Sequence, residues 1–274
     1  MKEMIEGEPG LEVLLEEDMI EPRVSRLAHG TAVVFTKPRN GIESPNQDAA
    51  AIIPFAGSDA LLVVADGMGG TRNGAKAAVA AVNHLAKCLP DKGDDIQIRT
   101  AILDAIEAAN THILESIPDG GTTLAIVEIR GSGIRPYHIG DSSIVVTGQR
   151  GKLKLNAVAH SPVGFAVEAG FLDEDEALYH GARHIISNAV GLAGMRIELG
   201  APLQLARRDT VLLASDGLSD NLFLDEIIEI IRKGPLDKAV ASLATLARER
   251  MASPHGENPA KPDDLTIIAY RREE

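Results

Sequence analysis

The chain has 274 residues, 45% of them hydrophobic, which suits one large domain or two small ones and excludes overall disorder. Forty acidic residues against 27 basic leave a formal charge of -13, which sets the protein against nucleic-acid backbone and anionic membrane as partners. A single cysteine, Cys88, excludes an internal disulfide and a thiolate zinc site, fits a reducing compartment and reads as an inert, helix-packed thiol. No apolar run approaches the roughly 20 residues of a membrane span, and glutamates stand where a signal peptide has basic residues, so a cytoplasmic location is expected. With 3% aromatic residues and no tryptophan, the core has to be built from Ala, Val, Ile and Leu.

Residues 1–21 carry eight acidic groups against Lys2 alone, around the apolar patch LEVLL, and read as a tail or docked extension. The boundary is set at residue 24, with one domain over 25–274. Short apolar strands follow in HGTAVVFT, DAAAIIPF and ALLVVAD, the first two as a hairpin-like start. Residues 73–89 and 95–117 repeat apolar residues at helical spacing and are rich in alanine, which predicts two long amphipathic helices. Strands return in GTTLAIVEI, GIRPYHIG, SIVVTG and KLKLNAV, separated by brief Gly-containing turns, and suggest an antiparallel meander. Residues 160–194 are too polar for a sheet core and read as short helices in a surface subdomain. A strand in TVLLASDG, helices in DEIIEIIRKG and PLDKAVASLATLARERM, and a last strand in DLTIIAYR complete the chain. Blocks of sheet and helix, without regular βαβ units, argue for an α+β fold with mostly antiparallel sheet.

Aspartates recur at the strand ends. The unbroken apolar run of LLVVAD predicts burial on both faces, so Asp66 sits where rigid backbone leaves the core; the glycines after it permit tight turns or close approach to a ligand. LLASDG places Asp216 in the same context and YHIGDSS places Asp141, while NQDAAAII and PDDLTIIA place Asp48, Asp263 and Asp264 at strand edges. A lone Asp after a strand is ordinarily a turn former or helix N-cap. Such sites converging on one edge would repel one another unless a cation sat among them, so that convergence would imply bound metal. Hard oxygen ligands favour Mg²⁺ or Mn²⁺ over Zn²⁺, and the eight histidines show no HExxH-like pairing. Paired divalent ions lower the pKa of a bridging water and clamp phosphate oxygens, which makes phosphate-ester hydrolysis the natural chemistry. Neither GxxxxGK[ST] nor GxSxG occurs.

Taken in order, NQD, DGMGG, GTTLAIV, IGDSS, ASDGLSDNL and PDDLT make the chain, from about residue 30 to residue 270, resemble the metal-dependent protein phosphatases, the type 2C serine/threonine family, in bacterial form. The resemblance implies two stacked, mainly antiparallel sheets flanked by helices, an α-β-β-α sandwich with metals at one end. It implies two Mn²⁺ or Mg²⁺ ions and a third, weaker one. Asp66 would bridge the first two, Gly67 would offer its carbonyl, and Asp216 and Asp263 would complete the first metal's shell. Asp48 would hold the second ion largely through water, and Asp141 the third. Asp48, Asp66, Asp216 and Asp263 are then the catalytic set, with activated water attacking phosphoserine or phosphothreonine directly. The implied partner is a phosphorylated protein, opposite a serine/threonine kinase; a monomer is expected. Residues 160–194 resemble the flap of bacterial members.

Three positions depart from the family pattern. An arginine usually grips the substrate phosphate five residues before the first Asp, but this chain has Glu43, leaving Arg39, Arg72 and Arg183 as candidate replacements. Met68 stands where many eukaryotic members have a histidine, which leaves water to protonate the leaving alkoxide. Asp264 replaces the usual Asn, either adding charge near the first metal or orienting the loop. Glu43 favours an alternative reading, a silent relative acting as a phosphoprotein-binding scaffold; the complete aspartate set favours an active enzyme.

Overall fold

The computed structural model describes residues 10–41, 45–55, 59–68, 72–88, 95–253 and 258–273, with Arg72 described by its backbone alone. The first part of the chain forms β1 (Glu12–Leu15), β2 (Arg23–Leu27), β3 (Gly30–Lys37), β4 (Asp48–Phe55), β5 (Asp59–Met68), α1 (Arg72–Cys88) and α2 (Asp95–Ser116). The middle forms β6 (Gly121–Thr122), β7 (Leu124–Arg130), β8 (Gly133–Ile139), β9 (Ser143–Thr147), β10 (Leu153–Asn156), α3 (Pro162–Glu168) and α4 (Glu174–Ala177). The last part forms β11 (Glu198–Leu199), β12 (Leu203–Gln204), β13 (Thr210–Ala214), α5 (Asp216–Ser219), α6 (Leu224–Ile231), α7 (Leu236–Met251) and β14 (Leu265–Arg272).

Two antiparallel sheets stack face to face, as the α+β sandwich requires. One runs β1-β4-β5-β7-β8-β11, with β6 beside β5 and β12 beside β8; the other runs β10-β9-β13-β14-β3-β2. The alternation of side chains along β5 shows how the layers form. Leu62 and Val64 enter the core between the sheets, whereas Leu61, Val63 and Ala65 face α1 and α2. All five are fully buried, so the run LLVVA is a strand covered on both faces. Small residues on α1 (Ala77, Ala78, Ala81) and a stripe of isoleucines on α2 (Ile98, Ile102, Ile106, Ile113) cover the first sheet. On the opposite side α7 lays Val240, Leu243 and Ala247 against β3 and β14. Each such buried aliphatic side chain larger than Ala contributes roughly 1.5–3 kcal/mol.

The structure differs from local pattern in three places, all concerning which strand pairs with which. The acidic segment read as an extension is built into both sheets in its described part: β1 pairs with β4, β2 spans residue 24 and pairs with β3. Leu14 is 1% exposed in the intersheet core, with Val13 and Leu15 packed on the helix side, so LEVLL has the period of a strand. The hairpin-like start is not formed, because β3 pairs with β14 while β4 pairs with β5. The meander is broken as well. β7 and β8 form a hairpin in the first sheet and β9 and β10 one in the second, so the chain changes sheets between Ile139 and Ser143. Alternation specifies a strand and its faces but not its neighbour.

That change of sheet depends on Gly140. Its φ is +103°, and a Cβ there would lie 2.6 Å from Thr123 Cγ2. Gly140→Ala should therefore lower unfolding stability by roughly 2 kcal/mol or more. Urea denaturation checks this; an unchanged midpoint would contradict the crossing geometry.

Candidate metal centre

The strand ends bring the aspartates together at one end of the sandwich. Asp48 opens β4 directly opposite Asp66 in the antiparallel register with β5. Asp48 is 2% exposed; its N–H donates to Asn46 Oδ1 (3.0 Å), and its Oδ2 accepts from Ser215 Oγ (2.7 Å). Ser215 Oγ in turn accepts from the Thr266 N–H (2.9 Å), so residues of the second sheet orient a carboxylate of the first. Asp66 is fixed by its own backbone. Its carbonyl accepts from Thr122 Oγ1 and the Thr123 N–H (both 2.9 Å), and its N–H donates to Thr123 Oγ1 (3.0 Å). Gly67 admits no side chain: a Cβ would lie 2.5 Å from the Gly74 carbonyl and 2.6 Å from Gln47 O.

Asp216 opens α5, and its N–H points to Asp66 Oδ2 at 3.4 Å. Asp263 and Asp264 precede β14 and divide the work. Asp264, 8% exposed, accepts the N–H groups of Arg39 (2.7 Å) and Gln47 (2.8 Å) and so ties the loop leading to Asp48 onto the end of β14. Its charge also reaches Asp48. Of the two expectations for Asp264, the contacts to Arg39 and Gln47 support orientation of the loop. Two residues not singled out from sequence join the cluster. Asp220 lies one helical turn after Asp216, and the Lys261 ammonium contacts Asp216, Asp220 (2.8 Å) and Asp263 (3.2 Å). The signals available were a second Asp at i+4 in SDGLSD and a Lys two residues before Asp263.

Burial and the charges of neighbouring carboxylates push Asp48, Asp66, Asp141, Asp220 and Asp263 up. Asp66 lies well above the usual carboxylate range because it is buried and faces the charges of Asp48, Asp216, Asp263 and Asp141. Asp48 is raised by burial and then by Asp264. Burial and the Asp216 and Asp220 charges push Asp141 up to about 8; burial and Asp216 push Asp263 to about 6. Asp141 Oδ1 is buried without a hydrogen-bond partner. An all-oxygen donor set, crowded negative charge and an orphaned carboxylate oxygen fit hard divalent cations.

Behind Asp141 lies a second group, His138, His160 and Glu198, whose ligand-type atoms fall within 4.8 Å of one another. Its hydrogen bonds assign it another task. His160 Nδ1 accepts from the Gly140 N–H (3.0 Å) and Asn188 Nδ2 (2.9 Å), which leaves its Nε2 to donate to Glu198 (2.8 Å). A metal-bound histidine normally donates from its free nitrogen, whereas this one accepts. His138 Nε2 donates to Ser142 O (2.7 Å), so both rings brace the crossing that bears Asp141.

Of the candidate cations, Arg183 lines a cleft of about 340 Å³ that Asp141, Asp216 and Asp220 also line. Arg39 lies half-buried beside Asp264. The Arg72 side chain and Glu43 fall outside the described residues. The cleft's walls include Val163, Val167 and Leu178 from residues 160–194, a segment that also exposes Phe165, Phe171 and Tyr179.

A family model for protein phosphatase 2C matches residues 39–252. The chain belongs to the protein phosphatase 2C family. It is 27% identical over 257 residues to the serine/threonine phosphatase stp of Listeria monocytogenes, covering 87% of this chain and 95% of that protein. Identity to the serine/threonine protein phosphatase PstP of Mycobacterium tuberculosis is 33% over 241 residues, 84% of this chain and 43% of PstP. Among solved structures, the S. agalactiae serine/threonine phosphatase superposes with a TM-score of 0.75 at 27% identity, covering 96% of this chain and all of that one. The PstP catalytic domain in complex with two manganese ions shares the fold, with a TM-score of 0.69 at 23% identity over 89% of this chain and 99% of that one. The family, the fold and these relatives make the protein a serine/threonine protein phosphatase.

The raised carboxyls link stability to pH with a definite sign. An Asp held near 8 when folded, as Asp141 is, keeps a proton that the unfolded chain releases near 3.8, so stability falls as pH rises through that window. His138, pushed down to about 4 by burial and by His160, acts oppositely below its ordinary 6.5, which leaves pH 6.5 to 8 for the carboxylates alone. In chelator, the Tm is expected to drop by several degrees between pH 6.5 and 8, and Mn²⁺ should remove most of that drop. A chelated Tm that climbs over this range would contradict the electrostatics.

Proposed function

We propose that the chain hydrolyses phosphoserine and phosphothreonine in proteins with water activated at a binuclear Mn²⁺ or Mg²⁺ site formed by Asp48, Asp66, Gly67, Asp216 and Asp263, with Asp141 at a third, weaker position. The observation that carries this reading is the convergence of five strand-end aspartates into one buried cluster in a chain of this family. The two manganese ions held by the PstP catalytic domain support it. When bound, such ions supply a water of lowered pKa and Lewis-acid contacts to phosphoryl oxygens.

The chain's own residues do the rest. Asp66, opposite Asp48 and beside Asp216, stands where one carboxylate can serve two ions, and Thr122 and Thr123 keep its backbone from shifting. Ser215 holds Asp48 by one oxygen and so fixes the direction in which the carboxylate faces the cluster. Arg183, on the cleft that Asp141 and Asp216 also line, and Arg39, whose backbone N–H is held by Asp264, are the described candidates to meet a phosphate dianion in the absence of an arginine at position 43. Met68 has no proton to give, so the leaving alkoxide takes its proton from water. A serine/threonine kinase is the natural counterpart, since it makes the ester that this site cleaves. The segment 160–194 walls the cleft beside the cluster, where the polypeptide flanking a phosphorylated residue would lie.

Asp66→Ala is expected to abolish Mn²⁺-dependent hydrolysis of para-nitrophenyl phosphate and of a phosphothreonine peptide, with circular dichroism unchanged; retained turnover would refute the ligand set, whereas a parent protein without turnover in any metal would leave the scaffold reading. Substituting Val167 or Leu178 by Asp should lower kcat/KM for the peptide about tenfold while leaving the small aryl phosphate within about twofold. Equal losses on both substrates would sink the assignment of this segment to substrate choice.

A further inference from the structure

Lys261 sits at the metal centre without belonging to the ligand set. Its ammonium contacts Asp216 Oδ2, Asp220 Oδ2 (2.8 Å) and Asp263 Oδ2 (3.2 Å). The placement is built into the fold. Asn221, fully buried, accepts the Lys261 N–H at its Oδ1 (2.8 Å) and donates from Nδ2 to the Lys261 carbonyl (3.0 Å) and to Gly217 O (2.9 Å). One side chain therefore clamps the backbone of Lys261 to the turn that bears Asp216 and Asp220. The two segments meet so closely that a Cβ on Gly217 would lie 1.9 Å from Asp264 O. Only 24% of the Lys261 side chain is exposed. Three carboxylates thus converge on one largely buried ammonium.

We propose that Lys261 is a tethered counter-ion that competes with a divalent metal for the oxygens of Asp216 and Asp263 and thereby sets the metal affinity of the site. The inference rests on the reading of those two aspartates as ligands of the first metal. An ion that takes them must displace the ammonium, and Asp220, outside that ligand set, is the partner to which the ammonium withdraws. Lys261 then has two effects of opposite sense. It relieves repulsion among carboxylates that the fold has already brought together, and it makes each divalent ion bind against a resident charge. Occupancy of the first-metal position, and with it turnover, becomes responsive to free metal concentration instead of saturated at trace levels.

The test is direct Mn²⁺ binding by isothermal titration calorimetry and by electron paramagnetic resonance of free Mn²⁺, on the full chain stripped with chelator and dialysed. Lys261→Met is expected to tighten the affected site about tenfold or more and to lower the Tm in chelator, with circular dichroism reporting a native fold. Lys261→Arg, which keeps the charge, should stay within about threefold of the parent. The inference is overturned if Lys261→Met binds Mn²⁺ with the parent's affinity, or if Met and Arg tighten binding alike. Asp66→Ala separates this failure from failure of the ligand reading: a parent and Asp66→Ala that bind Mn²⁺ equally would remove the metal centre itself, whereas loss of binding in Asp66→Ala beside an unmoved Lys261→Met would remove only the role of Lys261.

Discussion

Like charges brought into a buried space repel, and that repulsion is the constraint to which the rest of this molecule answers. Asp48, Asp66, Asp141, Asp216 and Asp263 come from five separate places along the chain, and each is raised or crowded by its neighbours. Left to side-chain freedom, such groups would turn toward solvent. They remain together because each emerges from backbone that has no other position to adopt: a paired strand end, a crossing between sheets, or the first turn of a helix that follows a buried strand. The apolar sandwich behind them supplies the stability that opposes the repulsion, and divalent cations turn the same repulsion into affinity.

Precision at the site comes from backbone hydrogen bonds more than from packing around the carboxylates. Thr122 and Thr123 hold Asp66 by its main chain, Asp264 gathers two N–H groups of the loop before Asp48, and Asn221 fastens the loop before Asp263 to α5. Gly67 and Gly217 permit contacts that no other residue would fit. Both sheets contribute. The Ser215 hydroxyl that orients Asp48 reaches across from the second sheet to the first, so relative movement of the sheets would disturb the site before it disturbed the core.

Much of this was legible in the sequence, for a physical reason. Strands and helices advertise themselves by the period of their apolar residues, and the five aspartates stood out because each interrupts such a period at its end. The two-faced burial of LLVVA and the helices over α1 and α2 followed from that signal alone. Pairing did not. Whether β9 continues beside β8 or crosses to the other sheet is decided by Gly140 and its contact with Thr123, residues far apart in sequence. LEVLL read as part of a tail or docked extension because its acidic flanks dominate the composition, and the sequence did not say that its docking would be as an edge strand beside β4. Lys261 and Asp220 carried only weak sequence signals for a related reason: a charge gains meaning from what it faces, and what Lys261 faces is fixed by the Asn221 clamp.

The position of β14 has a consequence for how the enzyme comes into being. It follows every other described element in the chain, yet it occupies an interior place in its sheet, between β13 and β3, and Asp263 stands at its head. A polypeptide emerging from the ribosome therefore lacks both a completed second sheet and the last of the five clustered aspartates until this strand has been released. Closure of the second sheet and delivery of Asp263 to the cluster are therefore a single late event in the making of the chain.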